Sequence, residues 1–132
     1  MSDEALFYQQ LRNAMPDVYF DRIENSLGSG IFDVNATWAG RDVWLELKMA
    51  INGAILVRPA QLAWSIRRYN TGARNLFFVT KFKEDRRICI YTLPIRYGQY
   101  GKYLKILDQP VASFNIPFDW DRIKRFLFGS HL

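Results

Sequence analysis

Asp33, Glu46 and Lys48 are the residues whose types and spacing can do chemistry. Glu46 and Lys48 stand two positions apart, and Asp33 lies thirteen positions before Glu46. Two carboxylates offer hard oxygen ligands to a divalent cation. Such a cation lowers the pKa of a bound water and polarises a phosphoryl oxygen. A neighbouring lysine can hold the attacking hydroxide or neutralise charge developing on a phosphate. These are the parts needed to hydrolyse a phosphodiester. Taken alone, Glu-x-Lys favours a plainer reading, a structural ion pair on a half-exposed sheet, because the tripeptide is common by chance. The elements around it decide between the two.

Residues 43–49 read as a strand. Side chains alternate across a strand, so Glu46 and Lys48 share one face while Val43, Leu45, Leu47 and Met49 take the other, toward a core. Residues 31–38 read as the preceding strand, with Asp33, Asn35 and Thr37 on one face and Val34, Ala36 and Trp38 on the other. The turn Ala39-Gly40-Arg41-Asp42 joins them, so the two strands pair as a hairpin. Asp33, near the start of one, then lies close to Glu46 and Lys48, near the end of the other. Charged groups facing inward on an apolar strand are costly unless something pairs with them.

The remaining pattern supplies a scaffold. Residues 3–14 have helical spacing with Phe7, Leu11 and Ala14 on one stripe, and Pro16 ends the run. Residues 18–24 read as a strand, and Ser26 to Gly30 as a glycine-serine loop. Residues 50–57 are ambiguous. Pro59 suits the first turn of a helix carrying Leu62, Ile66 and Tyr69, with Gly72 as its stop. Leu76–Thr80 and Ile88–Leu93 read as strands, separated by a charged loop from Lys81 to Arg87. The Tyr- and Gly-rich segment from Tyr97 to Leu107 resists assignment. Asp119 is placed to cap a last helix from Trp120 to Phe128. The expectation is one α/β domain over residues 1–132, a mixed sheet flanked by helices.

Composition narrows the chemistry. The chain has 132 residues, 49% of them hydrophobic and 16% aromatic, enough for a core. Eighteen Lys and Arg face thirteen Asp and Glu, a net charge of +5. That balance favours an anionic partner such as nucleic acid, although a solubilising surface accounts for it equally. His131 is the single histidine and Cys89 the single cysteine, the latter in the apolar run Ile88–Tyr91. A histidine-rich zinc site and a His-dependent triad are therefore disfavoured, and carboxylate chemistry suits Mg²⁺ or Mn²⁺. No apolar run approaches membrane-spanning length, and the acidic start does not read as a signal peptide, so a cytoplasmic location is expected.

Asp33, the strand-turn-strand, and Glu46-Leu47-Lys48 resemble the signature of PD-(D/E)XK nucleases. Arg22-Ile23-Glu24-Asn25, the loop Gly28-Ser29-Gly30 and Ile31-Phe32-Asp33-Val34 resemble the approach to that motif in phage-type members. Arg58-Pro59-Ala60-Gln61-Leu62-Ala63-Trp64 resembles the following helix of the VRR-NUC branch, where a glutamine accompanies the motif. Phe118-Asp119-Trp120 also resembles small phage proteins of this kind, and the Asp-to-Glu spacing suits archaeal-type Holliday junction resolvases. The resemblance covers residues 22–64 well and the rest loosely. Phe32 stands where the motif usually has proline, and the arginine pair that names VRR-NUC is not evident.

The resemblance implies a restriction-endonuclease-like fold and a Mg²⁺- or Mn²⁺-dependent DNA endonuclease that leaves 5′-phosphates. Small size argues against strict sequence specificity, and analogy with resolvases points to junctions or flaps, with a homodimer for two-fold substrates. Asp33 and Glu46 would be metal ligands, joined by a backbone carbonyl near Leu47, with Lys48 at the water and the scissile phosphate. A further acidic ligand is expected, Glu24 ahead of Glu4; a solvated carboxylate is the plainer reading of each. Gln61 would orient Lys48 or the water, or else be an ordinary exposed helix residue. Arg22, Arg58, Arg67 and Arg68 are the expected phosphate contacts, within further basic clusters at Arg74, Lys81-Lys83, Arg86-Arg87 and Arg122-Lys124-Arg125 that also read as solvated faces. Trp64 and Trp120 read as core. The rival functions are a non-catalytic DNA-binding module on the same fold and a small basic protein with no nucleic-acid role.

Overall fold

The computed structural model describes residues 1–23 and 29–129. Helix α1 (Asp3–Ala14) starts at Ser2, whose hydroxyl accepts a hydrogen bond from the Ala5 N–H at 3.1 Å. Strand β1 (Tyr19–Arg22) pairs antiparallel with β2 (Val34–Trp38), and β2 turns back into β3 (Arg41–Met49). The hairpin turn is tighter than the expected Ala39–Asp42, because Trp38 pairs directly with Arg41. Ala39 and Gly40 both have positive φ, 51° and 76°. That is the requirement of a type I′ turn, whose twist matches the strands it joins.

The ambiguous stretch after β3 is a small reversal in which Ile51 bridges Ala54, followed by β4 (Leu56–Val57). Helix α2 (Pro59–Asn70) then carries the chain back, so that β5 (Leu76–Lys81) lies parallel to β3. A helical crossover is the usual means of joining parallel strands. Strand β6 (Ile88–Tyr91) pairs antiparallel with β5. The unassigned Tyr-rich segment is a second hairpin, β7 (Tyr97–Tyr100) with β8 (Tyr103–Ile106). A strand not anticipated, β9 (Ala112–Phe114), pairs with β6. Asp119 caps α3 (Trp120–Phe128), its carboxylate accepting from the Arg122 N–H at 3.2 Å.

The result is a mixed α/β architecture, as the pattern predicts. The main sheet is six-stranded, in the order β1-β2-β3-β5-β6-β9, and a three-stranded sheet runs β4-β8-β7. Helices α1 and α3 cover one face of the main sheet, with Phe7, Leu11, Ile123 and Leu127 packed on Val34, Leu45, Leu47, Phe77 and Val79. Helix α2 and the small sheet cover the other, where Leu62, Val57 and Ile106 meet Phe32, Leu76 and Phe78. Strand β5 is therefore apolar on both faces and reads as a continuous hydrophobic run. Trp64 and Trp120 are half-buried and pack on the rims of these cores. Among the described residues no helix is long and apolar enough to cross a membrane.

Ile31, Phe32 and Asp33 precede β2 instead of extending it. The cause is Phe32, fully buried, whose ring packs on Trp64 at 5.0 Å and Phe78 at 4.9 Å. The residue in the motif's proline position thus anchors the approach to Asp33 by packing. Gly30, just before, has φ of 80°, and a Cβ there would overlap the backbone carbonyl of Ala60 in α2. The loop and the helix can lie this close only because Gly30 has no side chain. Gly40 has φ of 76° but open space around it. Gly30→Ala is expected to cost about 3 kcal/mol or more in urea unfolding, against about 1 kcal/mol for Gly40→Ala, since strain and overlap add at the first site alone. Equal losses would show that the loop does not need its contact with α2.

Candidate active site

The β2–β3 register sets the geometry. Val34 pairs with Leu45, so the next position brings Asp33 opposite Glu46. The Asp33 N–H donates to Glu46 Oε1 at 3.1 Å, and the Leu47 N–H donates to Asp33 Oδ1 at 3.3 Å. Each carboxylate is thus tied to the other residue's strand. Lys48 Nζ lies 3.3 Å from Glu46 Oε2. Glu46 is 2% exposed and the Lys48 side chain 13%, so this is no surface ion pair. Asn35 and Thr37, farther along the Asp33 face, are occupied elsewhere, both donating to Asp42 Oδ1.

Gln61 completes the buried part. Its Nε2 donates to Glu46 Oε2, and its Oε1 accepts from the Arg58 N–H at 3.1 Å. Gln61 is 3% exposed. The reading of it as an exposed helix residue is corrected: the carboxamide is buried and donates to the same Glu46 oxygen that Lys48 contacts. The reason lies in the N3 position of α2, from which a glutamine reaches back to the N-cap backbone. Here it does so with one end and holds the carboxylate with the other.

Burial is the leading cause that pushes the Asp33 carboxyl up to about 6. The Leu47 N–H and the charges of Lys48 and Arg22 oppose it, while Glu4 adds to it. Burial, and then the charge of Asp33, push Glu46 up to about 7 against the pull of Lys48. Two desolvated carboxylates side by side resist ionising together unless a cation joins them. The donor set is all hard oxygen, which fits Mg²⁺ or Mn²⁺ far better than a soft metal. Among the described residues no three His, Cys, Asp or Glu side chains gather as a metal cluster. A cation would therefore rest on Asp33 and Glu46, with backbone oxygen such as that of Leu47 and with water.

The other expected residues divide. Glu4, half-buried in the first turn of α1, is near enough for its charge to act on Asp33. Glu24 lies outside the described residues. Arg22 pairs with Val34 beside the site, its charge reaches Asp33, and its guanidinium lies 5.2 Å from the Tyr8 ring centroid. Arg58 is half-buried at the start of α2. Arg68 stacks over Trp64 at 4.9 Å and Trp44 at 5.7 Å, on the sheet face that also carries Glu46. Arg67 is exposed on α2. Trp44 was not singled out from sequence, although it stands two residues before Glu46 and so shares its face. A cleft of about 440 Å³ lined by Tyr69, Leu76 and Leu93 does not include the carboxylates. It is apolar, and the charged pair is the better candidate because its desolvation needs a chemical reason.

No family model matches this chain, and no curated protein matches it. Among solved structures it is similar to Hjc of Archaeoglobus fulgidus, a Holliday junction resolvase from an archaeal hyperthermophile. The TM-score is 0.52 at 14% sequence identity, over 78% of this chain and 82% of that one. The two share a fold.

The raised carboxyls make a stability prediction. In the unfolded chain they ionise near 3.8 and 4.5, and in the folded protein near 6 and 7. Between those values the folded state holds protons that the unfolded chain has lost, so stability falls as pH rises through this window. In EDTA, Tm is expected to drop between pH 5 and pH 8, and Asp33→Asn should flatten the slope and raise Tm at pH 8 by several degrees. Mg²⁺ or Mn²⁺ should raise the wild-type Tm at pH 8 and leave that of Asp33→Asn unchanged. Parallel pH slopes for the two proteins would remove the carboxylate pair as their source.

Proposed function

We propose that residues 1–132 form one divalent-metal-dependent nuclease of the PD-(D/E)XK type that hydrolyses DNA phosphodiesters. The observation that carries this reading is the buried pair Asp33 and Glu46 with Lys48 3.3 Å from Glu46. A fold shared with a Holliday junction resolvase supports it, as does the +5 charge. When bound, Mg²⁺ or Mn²⁺ would supply an acidified water and a Lewis acid for the phosphoryl oxygen. Asp33 and Glu46 would hold it, and Lys48 would stabilise charge on the scissile phosphate. Gln61 keeps Glu46 oriented, a supporting part that sites of this chemistry need. Arg22, Arg58, Arg67 and Arg68 would contact phosphates flanking the cut.

The substrate would be chosen by shape, a junction or flap, by analogy with the resolvase whose fold it shares. A two-fold junction would call for a homodimer. The phage-type likeness of residues 22–34 and the VRR-NUC likeness of the Gln61 helix belong to the same reading, as does action in the cytoplasm.

The test is cleavage of linear, nicked, flap and four-way-junction DNA with Mg²⁺ or Mn²⁺, then with EDTA. Wild type should cut at least one branched substrate and stop in EDTA. Asp33→Ala and Lys48→Ala should each lose on the order of 10²-fold or more, and Gln61→Ala about 10- to 100-fold. Cleavage of none of these substrates by wild type, or cleavage by both the Asp33 and Lys48 variants at the wild-type rate, would defeat the reading. Glu4→Gln and Glu24→Gln should differ in Mn²⁺ affinity, the larger loss marking the additional ligand.

A further inference from the structure

The three-stranded sheet β4-β8-β7 has one face on the core and one face outward. Val57, Leu104 and Ile106 turn inward against Phe32 and its neighbours. Strand alternation therefore turns Leu56, Tyr103 and Lys105 outward. Tyr100 pairs with Tyr103 across the turn and shares that face. Lys102, within the turn, lies 5.5 Å from the Tyr103 ring centroid. Tyr100 is 52% exposed. With Tyr103 and Lys102 beside it, this tyrosine offers a ring and a cation on one accessible sheet face.

Charge on this surface has one sign. Residues 97–107 contain Lys102 and Lys105 and no Asp or Glu, and the same holds of residues 55–63 with Arg58. The nearest carboxylate in sequence, Asp108, is held by Arg96 at the base of the hairpin, with N–H and Nε contacts of 2.6 Å. The surface also adjoins the candidate active site. Val57 pairs with Leu104, so continuing the ladder by one position sets Arg58 beside Tyr103. Arg58 starts α2, and Gln61 in that helix's first turn holds Glu46.

We infer that the outward face of β7–β8 is a binding platform for an unpaired DNA strand leaving the cleavage site, with Tyr100 and Tyr103 stacking on bases and Lys102, Lys105 and Arg58 on phosphates. Tyr100 is exposed and Tyr103 half-buried; accessible aromatics interleaved with cations are what unpaired strands need, because every base offers a π-face and every linkage a charge. A duplex buries its base faces, so the rings have nothing to stack on there. This rests on the nuclease reading above and narrows its substrate to DNA with a single-stranded arm.

The test is fluorescence anisotropy of wild-type protein in EDTA, with a labelled oligo(dT) 20-mer and a labelled 20-bp duplex (lengths of about 20 suit one site of this size). Tyr100→Ala/Tyr103→Ala should weaken binding to the unpaired strand about tenfold or more and to duplex less than about threefold. Tyr100→Phe/Tyr103→Phe keeps the rings and should bind as wild type. Lys102→Ala/Lys105→Ala should weaken both ligands and lower the salt dependence of each. Thermal melting confirms that each variant is folded; the Phe pair carries the test if the Ala pair is not, since its loss of strand binding would exclude stacking. Equal losses of strand and duplex binding in the Ala pair, or no loss, would overturn the platform. Because no metal is present, these outcomes are independent of Asp33 and Glu46. Intact strand binding without any cleavage would instead count against the nuclease reading alone.

Discussion

Two carboxylates lie side by side in a place where neither would choose to be charged. Asp33 and Glu46 each accept a backbone N–H from across the hairpin, and Lys48, Gln61 and the charge of Arg22 add to that compensation. The surroundings exist to hold this arrangement. A type I′ turn sets the register that makes the two residues opposite. Phe32 fixes the backbone just before Asp33 by filling a hole in the core. Gly30 lets that segment approach α2 closely enough for Gln61 to reach Glu46. Removing any of these leaves a desolvated charge without its support, which is more expensive than removing an apolar contact of the same size.

The sheet gives the pair rigidity. Strand β3 lies between β2 and β5, so its backbone is bonded on both sides, and cores lie above and below. A site built on such a strand holds its geometry better than one built on loops. The cost is that the apolar packing of Leu45 and Leu47 must carry the unfavourable face of Glu46. Proteins commonly give up stability in this way where a function depends on strained or desolvated groups.

The similarity to Hjc sits at the level of the scaffold. At 14% identity the two chains share architecture over most of their lengths. Scaffolds host more than one activity, and it is the site, here the carboxylates and their partners, that distinguishes one from another. The β7–β8 hairpin lies outside the main sheet, in the smaller one. Arg22 and Arg68 illustrate the difference between a basic residue and a placed one: each lies against an aromatic ring, Arg22 beside Asp33 and Arg68 on the face of Glu46.

Much of this was legible before any coordinates. Period-two alternation put Glu46 and Lys48 on one face, the short turn brought Asp33 to them, helical spacing marked α1 and α2, and Asp119 as a cap marked α3. Those signals are local, set by side-chain direction and turn chemistry within a few residues. The β7–β8 hairpin and β9 were not legible: the hairpin strands are short with an apolar pattern broken by Gly, Tyr and Lys, and β9 is three residues long and pairs with the distant β6. Gln61 was recognised as belonging with the motif, but its contact was decided by how α2 docks on the sheet. Only the tertiary structure decided that Asp33 and Glu46 are buried, and therefore that their protons are held toward neutrality. Desolvation depends on what every other segment places above a group, and no spacing within one segment contains that.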